Sequence, residues 1–341
     1  MKVLVVGPAA YYSTWDVFEG HVAGFRDNGC EVLTYDYGKR LRAFGEFAAW
    51  AKKHRRIEED FGERVYAWCG ESIYITAKVH KVDLVWLVAP QHIHPVPLAL
   101  LKMDGIKTAG YMTECPYEDE VQAERAAMFD YCFLSDRNSL DYWRERNPQS
   151  FYLAHAYEPT RHYPAWADQK HDVIFIGTGF PARRKFLQAV DWEGINFGAY
   201  GHWRGLPKTA PIRAHLESRI VDNAETAGLY RASRIGLQLH RVDTYYQHGW
   251  RIKPGAAYSI GPRSYELAAC GVFQVSDERP ELHDVFNGSV PTFSTPLELG
   301  ALLRRYLADP VARQELAQRQ HEAIQPHSFA NRIKEVLDIV T

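Results

Sequence analysis

Short runs of apolar residues punctuate the first half of the chain, at positions 3–6, 31–35, 84–88, 108–112, 132–134 and 151–153. Between them lie segments whose apolar positions return at helical spacing, the clearest being 14–28, closed by Gly29. A short, nearly continuous apolar run reads as a strand buried on both faces, and strands that alternate with helices build a doubly wound parallel sheet. A polar connector at 156–171, holding Glu158-Pro159 and Tyr163-Pro164, interrupts the pattern, which restarts with a strand at 172–176. Beyond it strands are predicted at 235–239 and 272–276, and helices at 225–233, 262–270, 297–307, 310–324 and 328–340. The expected organisation is α/β, with domains at 1–160 and 161–326 and a closing helical segment at 327–341.

Composition narrows the class. A chain of 341 residues, 46% hydrophobic, is long enough for two ordinary cores. Its 40 basic and 42 acidic side chains nearly cancel, so net charge implies no general attraction to nucleic acid or anionic lipid. Five cysteines, at 30, 69, 115, 132 and 270, show no metal spacing and leave one over from any pairing, which fits reduced thiols in a cytoplasmic protein. The N-terminal MKVLVVGPAA reads as a first strand and turn rather than a signal peptide, and the run at 82–90 is far below the roughly 20 residues that span a bilayer. A soluble, cytoplasmic protein without a transmembrane segment is expected.

One segment departs from this neutral balance. Between 39 and 56 stand Lys39, Arg40, Arg42, Lys52, Lys53, Arg55 and Arg56 with a single acid, Glu46, while Leu41, Phe44, Ala48 and Ala51 recur at helical spacing. The segment is either an amphipathic basic helix for an anionic surface or a large anionic acceptor, with Lys52, Lys53, Arg55 and Arg56 as its contacts, or a solvated face balanced by Glu58, Glu59 and Asp60.

Open α/β sheets place ligands in loops that follow their strands. In the first half those loops carry Gly7, then His92 and His94, then Glu114 and Cys115. In the second half the strand at 172–176 runs into Gly177-Thr178-Gly179-Phe180-Pro181-Ala182, a literal G-x-G-x-x-A. A dinucleotide site needs an acid about 20 residues on, for the ribose hydroxyls. The corresponding stretch, 195–201, has none, and Arg183, Arg184 and Lys185 open the next helix instead. Glycines, a helix N-terminus and cations suit a diphosphate, although successive helical positions are about 100° apart, so the three cations cannot all face one ligand. The stretch from 240 to 260 reads as a long loop, rich in His240, Tyr245, Tyr246, His248, Trp250, Arg251 and Lys253.

The most informative stretch is 261–286, GPRSYELAACGVFQVSDERPELHDVF. Gly261-Pro262 starts a short helix that Gly271 ends, and Arg263 and Glu266, three apart, share one face. A cation for phosphate beside a carboxylate for hydroxyls suits a nucleotide-sugar. Arg263, Glu266, Ala268, Ala269, Cys270, Gly271, Asp277, Arg279, Pro280 and Leu282 resemble the donor-binding half of the CgeB-like group of glycosyltransferases, of the glycosyltransferase family 4-like type. The resemblance implies the GT-B fold, two Rossmann-like domains facing each other across a cleft, with the last helix crossing back to the first domain. It implies transfer of a sugar from a nucleotide diphosphate sugar such as a UDP-sugar, with net retention, metal independence and no further cofactor as expectations. The donor would meet Glu266, Arg263, Arg184, Arg183, Gly177, Gly179, His240 and Gly7; His94 and Glu114 would line the acceptor side as catalytic candidates. The group commonly carries Asp-Asp-Pro-Tyr where this chain has Glu114-Cys115-Pro116-Tyr117, and Tyr258 stands where many retaining relatives have a second Glu. The acceptor stays open among glycan, lipid, protein, small molecule and modified DNA. A non-catalytic nucleotide or sugar-binding module and an NAD-dependent oxidoreductase are the alternatives from other classes.

Overall fold

The computed structural model describes residues 1–9, 13–55, 61–246, 249–252 and 257–341, and for 13, 244–246 and 249–252 it describes the backbone alone. The chain forms two compact units, Met1–Ala154 with Phe329–Thr341, and His155–Ser328. The first unit holds β1 (Lys2–Val6), β2 (Glu31–Tyr35), β3 (Leu84–Val88), β4 (Lys107–Met112), β5 (Tyr131–Leu134) and β6 (Ser150–Tyr152). They form one parallel sheet of order β2-β1-β3-β4-β5-β6, wrapped by α1 (Ser13–Asp27), α2 (Tyr37–Arg55), α3 (Gly62–His80), α4 (Pro95–Met103) and the short α5 (Asp119–Gln122) and α6 (Leu140–Arg144). Every residue of β3 is buried, as its unbroken apolar run requires of a central strand.

The second unit holds β7 (His171–Ile176), β8 (Phe197–Tyr200), β9 (Leu216–Glu217), β10 (Ser233–Gln238), β13 (Gln274–Asp277) and β14 (Thr292–Phe293) in a parallel sheet of order β14-β13-β10-β7-β8-β9. Its helices are α7 (Pro181–Gln188), α8 (Asn223–Arg231), α9 (Pro262–Ala269), α10 (Pro280–Phe286), α11 (Pro296–Ala308) and α12 (Pro310–Ile324). The stretch read as an irregular loop instead contains an antiparallel pair, β11 (Asp243–Tyr246) and β12 (Gly249–Ile252). Thr, Tyr, Trp and Ile in these two runs are strand formers, a local preference that the polar residues around them concealed. His248 and Lys253, like Arg56, lie outside the described residues.

The chain's last helix, α13 (Phe329–Val340), belongs to the first unit and packs on α1. Glycines make this contact: a Cβ on Gly20 would stand 2.2 Å from the Phe329 ring, and one on Gly24 would stand 2.7 Å from the Phe329 carbonyl oxygen. Asn28 Nδ2 donates to the Ala330 carbonyl at 2.8 Å, and Lys107 Nζ donates to the Val340 carbonyl at 2.5 Å.

In the second sheet the pleat sorts side chains by face. Val173 and Phe175 of β7 and Ile235 and Leu237 of β10 join one core with Leu299 and Leu303 of α11. Ile174 turns to the other face, towards Tyr230 and Leu267. Gly236 also faces that way, and its missing side chain lets α9 approach, since a Cβ there would stand 2.4 Å from Leu267. Gln238 Nε2 donates to Ser264 Oγ at 3.1 Å and Gln274 Nε2 donates to the Ser264 carbonyl at 2.9 Å, pinning the start of α9 to two strands.

Candidate donor site at the second sheet edge

In an open α/β sheet the ligand crevice lies outside the carboxyl ends of the strands, where the strand order reverses. In the second unit that point falls between β7 and β10. Arg263 spans it. Its Nε donates to the carbonyl of Ile176, the last residue of β7, at 2.6 Å, and its Nη1 donates to Oε1 of Gln238, the last residue of β10. The guanidinium lies over the Phe175 ring at 4.6 Å. Both of these acceptors are neutral, and among the described residues Arg263 makes no ion pair; burial pushes its guanidinium below the ordinary value, against the pull of Tyr230, Glu266 and Asp277.

One turn further along α9, Glu266 is buried, and its Oε2 accepts from the Tyr230 hydroxyl at 3.1 Å. Burial holds this carboxyl above its ordinary range, against the pull of Arg263 and the Tyr230 hydrogen bond. Beside them, at the end of β10, the His240 backbone N–H and Nδ1 both meet Oδ1 of Asp277, at 2.8 and 2.7 Å. Burial pushes the His240 imidazole below its usual value. Burial alone would raise Asp277, but His240 and Arg279 hold its carboxyl below the usual carboxylate range. Arg279 is buried and donates to the carbonyls of Ala257 and Arg241, at 3.2 and 2.9 Å.

The glycine loop does a different job from the one its sequence suggests. The Gly177 and Gly179 amides donate to the carbonyls of Tyr200 and His202, at 2.9 and 2.8 Å, so neither presents an N–H to a ligand. Their missing side chains instead admit neighbours: a Cβ on Gly177 would stand 2.5 Å from Arg263 Nη2, and one on Gly179 would stand 2.4 Å from the Trp203 ring. The first turn of α7 is also occupied, because the Ala182 amide donates to the buried Asp243 carboxylate at 3.1 and 3.3 Å. A carboxylate therefore sits where the sequence suggested a diphosphate. The cations of α7 diverge. Arg183 turns inward, donating to the Thr178 carbonyl at 3.0 Å with its guanidinium 5.5 Å from the Phe175 ring, the ring that Arg263 also covers. Arg184 runs to Gly205, where it lines a depression of about 440 Å³ with Lys185 and Gln188. Lys185 is exposed. Arg183 and Arg263 are thus brought together, and Arg184 is not.

The first unit's candidates are less concentrated. The switch point of its sheet lies between β1 and β3. Gly7 follows β1, its amide bonded to the Tyr35 carbonyl at 2.9 Å. After β3 the chain passes through Ala89 at φ 50°, a left-handed conformation uncommon for a residue with a side chain. His94 is the N-cap of α4, its Nδ1 accepting from the Val96 amide at 3.3 Å, so its imidazole is engaged in helix capping. The Glu114 carbonyl accepts from the Tyr117 and Glu118 amides in a turn. Lys52, Lys53 and Arg55 are exposed on α2, with Arg55 5.9 Å from the Trp50 ring, and Phe47 and Trp50, 53% and 47% exposed, stack at 6.2 Å.

Sequence reasoning missed Gln238, Tyr230 and Asp243, and gave Asp277 no partner. Gln238 carried a usable signal: it is the polar residue at the end of an apolar run, on the face opposite Leu237. Thr113 Oγ1 and Gln91 Oε1, at the ends of the first sheet's strands, were missed too; both are buried without a hydrogen-bond partner among the described residues.

Residues 183–338 match the family model described as glycosyl transferase-like. No curated protein matches the chain. Among solved structures, the sucrose-phosphate synthase from Thermosynechococcus elongatus is similar at 12% identity with a TM-score of 0.64, covering 99% of this chain and 98% of that one. An alpha-glucosyltransferase in complex with UDP and a 13-mer DNA containing an HMU base is similar at 13% identity with a TM-score of 0.64, covering 100% of this chain and 99% of that one. A glycosyltransferase involved in avilamycin A biosynthesis is similar at 15% identity with a TM-score of 0.59, covering 99% and 96% of the two chains. Among the described residues no helix is long and apolar enough to cross a membrane. With two parallel six-stranded sheets and flanking helices, the fold is that of the GT-B glycosyltransferases.

Proposed function

We propose that the protein is a glycosyltransferase that moves a sugar from a nucleoside diphosphate sugar to an acceptor hydroxyl, with the donor held at the β7/β10 edge of the His155–Ser328 unit. The observation that carries this reading is Arg263, a cation without an ion pair among the described residues, fixed by two strand ends and one helical turn from a buried carboxylate. In the transfer the glycosidic bond to the diphosphate breaks and negative charge grows on the departing phosphate. A fixed cation stabilises that charge most where it develops. Arg263, with Arg183 on the same aromatic ring, takes this role, so that cationic side chains rather than a divalent ion receive the leaving group. Glu266, which has lone pairs beyond the one engaged by Tyr230, accepts from the ribose hydroxyls. Net retention at the anomeric carbon is the outcome we favour, on the resemblance to retaining relatives.

Two features weigh against an oxidoreductase reading of the G-x-G-x-x-A: the amides of both glycines are used within the sheet, and no acid ends β8. The test is a thermal-shift screen of UDP, GDP, ADP and their sugars, followed by hydrolysis assays with and without acceptor. At least one nucleotide should raise Tm in the wild type and fail to do so in Arg263→Ala. A flat screen, or an equal shift in that variant, removes the donor site from this edge; binding without turnover identifies a module that binds but does not transfer.

A further inference from the structure

Within this donor site the His240 ring carries a buried nitrogen that meets no hydrogen-bonding group among the described residues. His240 is 7% exposed, and its Nε2 has no hydrogen-bond partner among the described residues. The tautomer follows from its other nitrogen. Asp277 Oδ1 is an ionised acceptor, so Nδ1, 2.7 Å away, carries the proton. A neutral imidazole protonated at Nδ1 leaves the lone pair on Nε2, making that atom an acceptor alone. The charged groups around the ring are Asp277 on β13, Arg279 after it and Arg263 on α9; burial and the two cations keep the imidazole neutral against the pull of Asp277.

The place of this atom is also fixed. The His240 Cδ2, next to Nε2 in the ring, lies 4.0 Å from where a Cβ on Gly261 would stand. Gly261 is the N-cap of α9, two residues before Arg263, and Gln238 Nε2 lies 3.4 Å from the same point. The acceptor edge of the ring thus faces the small, side-chain-free start of the helix that carries the phosphate-binding cation. Phosphate oxygens carry no proton at neutral pH and cannot satisfy Nε2. Its ligand must bring an O–H or N–H, because an acceptor buried unpaired forfeits the hydrogen bond it would make to water.

We propose that His240 Nε2, oriented by Asp277, accepts a hydrogen bond from a hydroxyl of the transferred sugar and so selects the sugar, as distinct from the nucleotide, of the donor. This rests on the donor-site reading above. Asp277 is a positioning residue: it fixes the ring and its tautomer through Nδ1 without touching the donor.

The experiment compares the affinities of free UDP and GDP with those of UDP-glucose, UDP-galactose, UDP-N-acetylglucosamine and GDP-mannose, by calorimetry, for the wild type and His240→Phe. The quantity read is the gain in affinity that the sugar adds to its own nucleotide. For the best donor this gain should fall about 10-fold in His240→Phe, the worth of one hydrogen bond, while free-nucleotide affinity changes less than about twofold. Nitrogen NMR of the wild type supplies a measurement independent of any variant: Nδ1 protonated and Nε2 bare, with the Nε2 resonance moved by the nucleotide-sugar and not by the nucleotide. An unchanged sugar gain, or an Nε2 resonance that the sugar leaves in place, overturns the inference and spares the donor site. Equal loss of nucleotide and nucleotide-sugar affinity assigns His240 to the nucleoside and overturns it as well. Failure of every nucleotide and nucleotide-sugar to bind the wild type overturns the donor-site reading and this inference together.

Discussion

The two units share an architecture and differ in what their sheet edges carry. Each is a parallel six-stranded sheet with one reversal of strand order. At the reversal in the second unit, Arg263, Glu266, His240 and Asp277 gather on adjoining strand ends, held by Tyr230 and Gln238. In the first unit the candidates are spread over separate loops, where His94 Nδ1 caps a helix and the Glu114 carbonyl closes a turn. Among the described residues, the buried groups left unsatisfied near these strand ends include the neutral Thr113 Oγ1 and Gln91 Oε1. Buried charge is costly to assemble and is retained where a ligand uses it, whereas hydroxyl and amide oxygens suit a ligand that is itself neutral. The contrast fits the charged donor proposed for the second edge.

The largest effect should come from deleting the donor edge's carboxylate. Glu266→Ala is expected to weaken nucleoside diphosphate binding about 10- to 100-fold, the range for a hydrogen bond to a charged group, with the circular-dichroism spectrum unchanged. Glu114→Ala should leave that affinity within about twofold. Calorimetry on both variants separates the units: equal losses would erase the proposed division of labour, and unchanged binding in Glu266→Ala would remove that residue from the site.

Much of this division was legible in the sequence, and what was not has a physical reason. The strand and helix alternation, the basic helix and the shared face of Arg263 and Glu266 are local patterns, set by the pleat and by helical spacing. The partners that complete the site are distant in sequence: Tyr230 lies 36 residues before Glu266, and Asp243 caps Ala182 from 61 residues away. No local pattern announces such contacts. The glycine loop misled for a related reason. Gly177 and Gly179 are glycines because Arg263 and Trp203 press on them, and a close approach by the protein leaves the same mark in sequence as a close approach by a phosphate. His94 is ambiguous for a simpler reason, since a histidine before Pro95 serves equally as helix cap and as catalyst.

A second contrast concerns how the units are closed. The first unit depends on a helix from the far end of the chain, received by glycines on α1, so it should be sensitive to added bulk there. Gly20→Leu places side-chain atoms where the Phe329 ring stands and should cost about 1–3 kcal/mol, the usual range for overpacking. Gly45 is the control. It lies within α2, a Cβ there meets nothing within 4 Å, and Gly45→Ala should stabilise by about 0.5–1 kcal/mol through helix propensity. Urea unfolding followed by hydrogen exchange at α13 reads both. Destabilisation without faster exchange in α13 would show that the strain is absorbed elsewhere.

The second unit should also be sensitive to acid, because its buried polar groups include histidines held below their ordinary pKa by burial. His162 is 3% exposed; its Nδ1 accepts from the Glu158 amide at 3.3 Å and its Nε2 has no partner among the described residues. Burial, with help from Arg161 and Arg231, pushes its pKa down to about 3, from an ordinary 6.5. Below the ordinary value the unfolded chain takes up a proton that the folded chain refuses, so stability is complete above it and falls as pH drops, until the folded imidazole itself titrates. Between about pH 7 and about pH 5.5 this one group should remove about 1 kcal/mol, since each pH unit fully inside the window is worth about 1.4 kcal/mol. His162→Phe lacks the titration and should lose that much less stability over the same interval, whatever its stability at neutral pH. Urea midpoints at the two pH values, taken with a probe confined to the His155–Ser328 unit, give the difference directly. Parallel losses in wild type and variant would place the acid sensitivity elsewhere, with His171 and His240, both held below their ordinary values by burial, the next groups to replace.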